Sequence, residues 1–157
     1  MIRSRLAALA AAVGLGVASP VAAEAAPRPE HAAFGEQIRA AQERLDAFMA
    51  AFNARDVAGI EATFNFPHVR FASGAVTVIE PGSHKPEMFG RGALSEWNHS
   101  AWLRREVLHA GPDKVHIDTR FARYRKDGSL IAAFDSIYIV TRVNGRWGIQ
   151  GRSSFAP

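Results

Sequence analysis

The sequence predicts an α+β domain in which a long helix precedes an antiparallel ribbon of strands. Three observations carry that class. Phe34, Ile38, Ala41, Leu45, Phe48 and Phe52 step by four and three, which makes one stripe of an amphipathic helix. Asp127-Gly128 and Asn144-Gly145 each separate runs of β-branched and aromatic residues, and both dipeptides suit the positive φ of two-residue hairpin turns. The two turns, read separately, sort the strand side chains into the same two faces.

With two-residue turns, Val143 faces Arg146, Val140 faces Ile149, Tyr138 faces Gly151 and Ser136 faces Ser153. On the other hairpin Lys126 faces Ser129, Phe121 faces Phe134, Thr119 faces Ser136 and Ile117 faces Tyr138. Alternation then gathers Val115, Ile117, Thr119, Phe121, Phe134, Ser136, Tyr138, Val140, Trp147, Ile149, Ser153 and Phe155 on one face. That face is apolar with a few hydroxyls, as suits a sheet closing over a core or pocket. The other face carries His116, Asp118, Arg120, Asp135, Ile137, Ile139, Gln150 and Arg152, aliphatics among charges.

In chain order, Arg3 and Arg5 precede an apolar run from Leu6 to Ala18 and small residues through Ala26. This is the layout of a secretory signal peptide over 1–23, with cleavage as late as about residue 26, and the apolar run is short for a membrane span. Residues 24–32 read as a linker and 33–157 as one domain. The stripe helix runs to Phe52, and Val57 to Thr63 reads as a short second helix with Asp56 as its N-cap. Phe64 to Val78 reads as two strands about Ser73-Gly74, with Pro67 implying an edge or a bulge because it donates no ladder hydrogen bond. After loops at Pro81 to Pro86 and Gly90 to Gly92, Leu94, Trp97 and Ala101 suggest a third helix over Ala93 to Leu103. Glu106 to Ala110 reads as a strand, and the three-stranded ribbon Val115 to Phe155 completes the chain.

Composition narrows the chemistry. Hydrophobic residues at 48% and charged residues at 22% are those of an ordinary globular domain. No cysteine is present, so disulfides, thiolate metal sites and cysteine nucleophiles are excluded. Loss of Arg3 and Arg5 with the leader leaves 17 basic against 15 acidic residues. No basic run is interleaved with aromatics, so nucleic acid is not an expected partner. His84, His99, His109 and His116 show no ligand spacing, and neither a metal nor a cofactor is expected.

Two local patterns resemble a known family. Phe48-Met-Ala-Ala-Phe52-Asn53-Ala-Arg-Asp56 is similar to the aromatic–x3–aromatic–N–x–x–D end of helix one in the NTF2-like superfamily, which includes SnoaL-like and ketosteroid-isomerase-like proteins. Val143-Asn-Gly-Arg-Trp-Gly-Ile149, followed by Ser153-Ser154, is similar to that superfamily's final G-x-W-x-I strand. With the element order, the resemblance covers residues 34–155. It implies a curved antiparallel sheet wrapped as a cone around a long N-terminal helix with two shorter helices, a pocket inside, and frequent dimerisation through the outer face. Enzymes, binding proteins and assembly modules share that scaffold, so the fold does not select among them.

The resemblance makes the apolar face the pocket-lining one. Isomerase-like and cyclase-like relatives place an ionisable acid or base there, but Asp118 and Asp135 fall on the opposite face, and Gly151 and Ser153 stand where many relatives have histidines. His68 and Arg70 share a face of the first strand if Pro67 adds no bulge. His68 then suits a general base or hydrogen-bond donor, and Arg70 a carboxylate partner. With a bulge, Asn65 is the substitute; the alternative to a site role is that His68 and Arg70 lie on an edge strand and point outward into water. Trp97 and Trp102 either wall the pocket mouth or fill the core, and Tyr138 either meets a ligand or bonds internally. On the outer face Arg120 lies opposite Asp135, with Arg152 one strand further and Ile137 and Ile139 alongside, a strip suited to a homodimer interface or to a solvated ion network.

The expectation is an exported protein, secreted or periplasmic, free of the membrane once the leader is cleaved. It is a homodimer binding a small, largely apolar molecule between Trp97, Trp102, Phe121, Phe134, Ser136, Ser153 and Tyr138, with His68 and Arg70 orienting a polar group. The alternatives are a cofactor-independent isomerase, cyclase or dehydratase using His68 as base and Tyr138 as acid, and an accessory module with a filled cone.

Overall fold

Strong local periodicity produces the first element. In the computed structural model, which describes the backbone of Ala23–Glu24 and residues 28–157, helix α1 spans Gly35–Asn53 and buries Ile38, Ala41, Leu45 and Phe48 from the predicted stripe. The leader predicted over 1–23 lies, apart from Ala23, outside the described residues. Ala23–Glu24 form a short strand, β1, parallel to Arg104 and Arg105. Within the predicted linker, Pro29–Phe34 instead form 3-10 turns that bury His31.

Helix α1 ends where Arg55 takes a left-handed φ of 58° and the Asp56 N–H returns to the Ala51 carbonyl at 2.9 Å. Asp56 then caps α2, Val57–Ala62, its carboxylate accepting from the Gly59 N–H at 2.9 Å. The sheet follows as β2 (Phe64–Ala72), β3 (Ala75–Ile79), β4 (His99–Ala110), β5 (Lys114–Tyr124), β6 (Leu130–Val143) and β7 (Arg146–Ser154), in spatial order β1-β4-β5-β6-β7-β2-β3. Its concave face closes on α1. Leu45 and Phe48 meet Phe64, Trp102, Ile117, Tyr138, Val140 and Ile149 in a single apolar core. Burying a side chain such as Leu45 contributes about 1.5–3 kcal/mol. No helix among the described residues is long and apolar enough to cross a membrane.

The predicted third helix does not form. Gly92–Leu94 is a single 3-10 turn, and Trp102 and Leu103 belong to β4, which pairs with β5 along its length. The weak apolar stripe over Ala93–Leu103 loses to a strand that buries Ser100, Trp102 and Val107 against the core.

Two registers depart from expectation near their turns. Lys126 does not face Ser129; the Arg125 N–H donates to the Ser129 carbonyl at 2.9 Å, and the Asp127 carboxylate accepts from the Ser129 N–H at 2.9 Å, so the loop holds three residues. A compensating bulge between Arg123 and Tyr124 restores the predicted pairs Phe121–Phe134, Thr119–Ser136 and Ile117–Tyr138. The second departure persists. A bulge at Gln150 follows the Val140–Ile149 pair, and beyond it Ile139 faces Gly151, Tyr138 faces Arg152, Ile137 faces Ser153 and Ser136 faces Ser154. Tyr138–Gly151 and Ser136–Ser153 are therefore wrong by one residue. The slip moves Arg152 and Ser154 to the concave side and Ser153 to the outside.

Candidate ligand cavity

Between the mouth of the cone and α1 lies a cavity of about 290 Å³. Its wall is mostly aromatic and aliphatic: Phe48 and Phe52 from α1, Ile60 from α2, Phe64 from β2, Ile79 from β3, and Met88 and Leu94 from the loop ahead of β4. The polar side chains of the lining are His68, Arg70, Thr77, His84, Arg123, Tyr138 and Arg152, with no carboxylate side chain among the described residues, and Pro157 adds an oxygen that accepts from Arg70.

Pro67 explains how His68 enters. The β2–β7 ladder is interrupted between Phe64 and Val69, as expected where a proline withholds its donor. His68 Nδ1 lies 3.0 Å from the Ile149 carbonyl and its ring stacks on Phe64 at 4.1 Å between centroids. A carbonyl only accepts, so Nδ1 carries the hydrogen and the neutral ring keeps Nε2 as an acceptor. At 2% exposure the charged form is poorly solvated. Burial, assisted by the charges of Arg152, His84 and Arg70, lowers its pKa to about 4. His68 is thus a neutral imidazole at physiological pH.

Tyr138 is fully buried, and burial raises its phenol above the ordinary value even though Arg152, Arg70 and Arg123 pull the other way. Arg152 sits across from it, Cζ 5.1 Å from the Tyr138 ring and 5.1 Å from Phe121, with Nη2 donating to Ser154 Oγ at 3.0 Å. Arg123 is buried, its Cζ 5.1 Å from Phe134. Burial first, then Arg152 and Arg70, lowers its pKa to about 10. Arg70 donates to the main-chain oxygens of Ala156 and Pro157, both at 3.3 Å. At the mouth, Glu61 accepts from the Gly82 N–H (2.7 Å), the His84 N–H (2.9 Å) and His84 Nδ1 (3.1 Å), pinning the loop that contributes to the wall.

Of the residues predicted to meet a ligand, His68, Arg70 and Tyr138 line this cavity. Phe121 borders a recess of about 20 Å³ beside it. Trp97 and Trp102 are core: Trp97 packs on Phe52 and Phe89 with Nε1 bonded to Ser100 Oγ, and Trp102 packs edge-on to Phe121 and Tyr138. Phe134 backs Phe121, and Ser136 is tied to Ser154 at 2.8 Å, so neither reaches the lining. Ser153 is exposed beside Phe71 and Phe155. Asn65, the substitute, is bonded to the Thr141 carbonyl at 2.9 Å. On the convex face Arg120 pairs with Asp135 at 2.7 Å and Arg104 joins Asp118 and Asp135, while Ile137 is exposed and Ile139 half-buried. Arg152 does not belong to that strip.

Most of the wall, from Phe48, Phe52, Ile60 and Phe64 to Leu94, escaped the sequence reading, and so did two charged lining residues, Arg123 and Arg152. Arg123 continues the period-two series Ile117, Thr119, Phe121, so the signal was present and only its charge argued against an inward position. Arg152 was hidden by the bulge, for which Gln150-Gly151 carries no distinctive signal. Among the described residues, no three His, Asp or Glu side chains gather as a metal site requires.

A family model described as "NTF2-like protein (DUF6841)" matches residues 36–154. No curated protein matches the chain in sequence. Among solved structures, a ketosteroid isomerase-like protein from Erwinia carotovora atroseptica is similar with a TM-score of 0.59 and 18% identity, covering 78% of this chain and 97% of that one. An uncharacterized protein with a cystatin-like fold from Caulobacter vibrioides has a TM-score of 0.63 and 14% identity, covering 78% and 91%. An NTF2-like protein from Novosphingobium aromaticivorans has a TM-score of 0.62 and 10% identity, covering 77% and 82%. These identities speak for a shared fold only.

Proposed function

The chain belongs to the NTF2-like family, and from that premise we propose that it binds a small molecule with a largely apolar body inside the cone, without transforming it. One observation carries the reading: a cavity of about 290 Å³ walled by Phe48, Phe52, Ile60, Phe64 and Leu94, with no carboxylate side chain lining it. His68 and Arg70 orient the ligand's polar group. The isomerase-type alternative is weaker on chemical grounds. Among the described residues, the lining offers no carboxylate side chain as base, and His68 has Nδ1 committed to the Ile149 carbonyl with no acid placed to hold its ring for proton transfer. The accessory-module alternative needs a filled cone, and this one is open.

The test is native mass spectrometry of protein purified from its own host, alone and as His68→Ala, with a titration against neutral apolar fragments followed by protein NMR. Retained mass that the variant loses, or fragment shifts at Phe48, Phe64 and Tyr138, is the expected result. An empty protein that answers no fragment overturns the reading. The proposal extends to export through the N-terminal leader and to self-association through the convex strip of Arg120, Asp135, Ile137 and Ile139, where Ile137 is 41% exposed.

A further inference from the structure

We propose that the molecule held in the cone is an organic carboxylate, its anionic head seated against Arg123 and Arg152 at the inner end of the cavity. This rests on the cavity being a binding site, and it assigns the ligand's chemical class. Three guanidinium groups, those of Arg70, Arg123 and Arg152, line one cavity, and among the described residues no Asp or Glu lines it. The nearby Glu61 is committed to the mouth loop through Gly82 and His84. Buried charge is ordinarily paired, because desolvating an ion costs several kcal/mol.

Among the described residues, the two deeper arginines have no ion-pair partner. Arg123 is only 7% exposed, its Nε has no partner, and its single hydrogen bond is a long one of 3.5 Å to the Ala93 carbonyl. Arg152 Nε is likewise without a partner, and its Nη2 has only the neutral hydroxyls of Ser154 at 3.0 Å and Ser136 at 3.5 Å. Arg70 is better satisfied, on two main-chain oxygens.

Cation–π contacts hold the deeper pair against the aromatic wall. Both guanidinium carbons lie within 6 Å of the Phe121 ring, Arg152 at 5.1 Å and Arg123 at 5.8 Å, and Arg123 also covers Phe134 at 5.1 Å. A cation–π contact of this kind uses none of a guanidinium's five N–H donors, which remain for a ligand. It does not neutralise the charge. Mutual repulsion persists until an anion arrives; it adds, through Arg152 and Arg70, to the burial that is the main cause of the lowered Arg123 pKa. A planar carboxylate matches the guanidinium fork, while the apolar wall receives the body to which it is attached.

Matched probe pairs test this with the full chain at low salt and pH 7.5: benzoate against benzamide, and naphthalene-2-carboxylate against naphthalene-2-carboxamide, by calorimetry and protein NMR. The expected result is that at least one carboxylate binds about tenfold or more tighter than its amide. That advantage falls to about twofold or less in Arg123→Gln and Arg152→Gln, while the amide's affinity is retained. Arg123→Met supplies an independent readout: removal of an unpaired buried charge leaves Tm unchanged or raised without ligand, and abolishes the Tm gain that the carboxylate gives the wild type. Equal binding of acid and amide overturns the carboxylate assignment and leaves the cavity reading standing. Binding of neither overturns both. A lowered Tm for Arg123→Met, with the carboxylate preference intact, reduces Arg123 to a structural role and sinks the assignment to it.

Discussion

Lowering the pH should destabilise this protein through one side chain, His68. Its imidazole is buried against Phe64, donates from Nδ1 to the Ile149 carbonyl, and has its pKa lowered from 6.5 to about 4, chiefly by burial. A histidine depressed in the folded state is harder to protonate there than in the unfolded chain. Its contribution is therefore fully present above pH ~6.5 and is lost as pH falls toward about 4. Between pH 7.5 and 4.5 the proton linkage shifts the folding equilibrium by a factor of about 70, or about 2.5 kcal/mol. Other groups titrate over the same range, His116 among them, whose pKa burial also lowers. The measurement is therefore a comparison. Urea denaturation at both pH values is run on the wild type and on His68→Phe, which keeps a ring against Phe64 and removes the titration. The wild type should lose about 2.5 kcal/mol more than the variant across the interval. The imidazole resonance of His68 should also show no titration down to pH ~5. Parallel losses in the two proteins, or a His68 midpoint near 6.5, refute the argument and with it the picture of a neutral imidazole in the cavity.

Four further outcomes follow from the geometry. A Cβ on Gly148 would lie 2.6 Å from Asn65 Oδ1 and 2.8 Å from the Asn65 backbone nitrogen, so Gly148→Ala should cost about 2–4 kcal/mol in urea denaturation. Gly35→Ala, with nothing within 4 Å, should be neutral or slightly stabilising. Asp56→Ala removes the cap on α2 and should cost about 1 kcal/mol, with no loss if the Gly59 bond is unimportant. Ile137→Lys should lower the sedimentation coefficient at micromolar concentration without lowering Tm; an unchanged coefficient removes the convex strip as the contact between copies.

The α+β class, the helix Gly35–Asn53, the cap at Asp56, the strand pair around Ser73-Gly74 and three of the central cross-strand pairs were legible in residue pattern alone. Each depends on local chemistry: helical spacing, a carboxylate before a helix, glycine where φ is positive. Residues 93–103 were misread because their weak stripe gained more by pairing with β5 than by coiling, and that partner lies in another part of the chain. His68 and Arg70 were legible as candidates, and their inward placement depends on how the interrupted β2 ladder docks on β7. The positive inner end of the cavity was the least visible feature. One bulged residue, Gln150, reverses every side chain after it, so Arg152 joins Tyr138 where an unbroken ladder would have sent it to the outer face. Periodicity alone determines which residues share a face; which face closes around the cavity, and where the period breaks, were decided by strands meeting across distant parts of the chain.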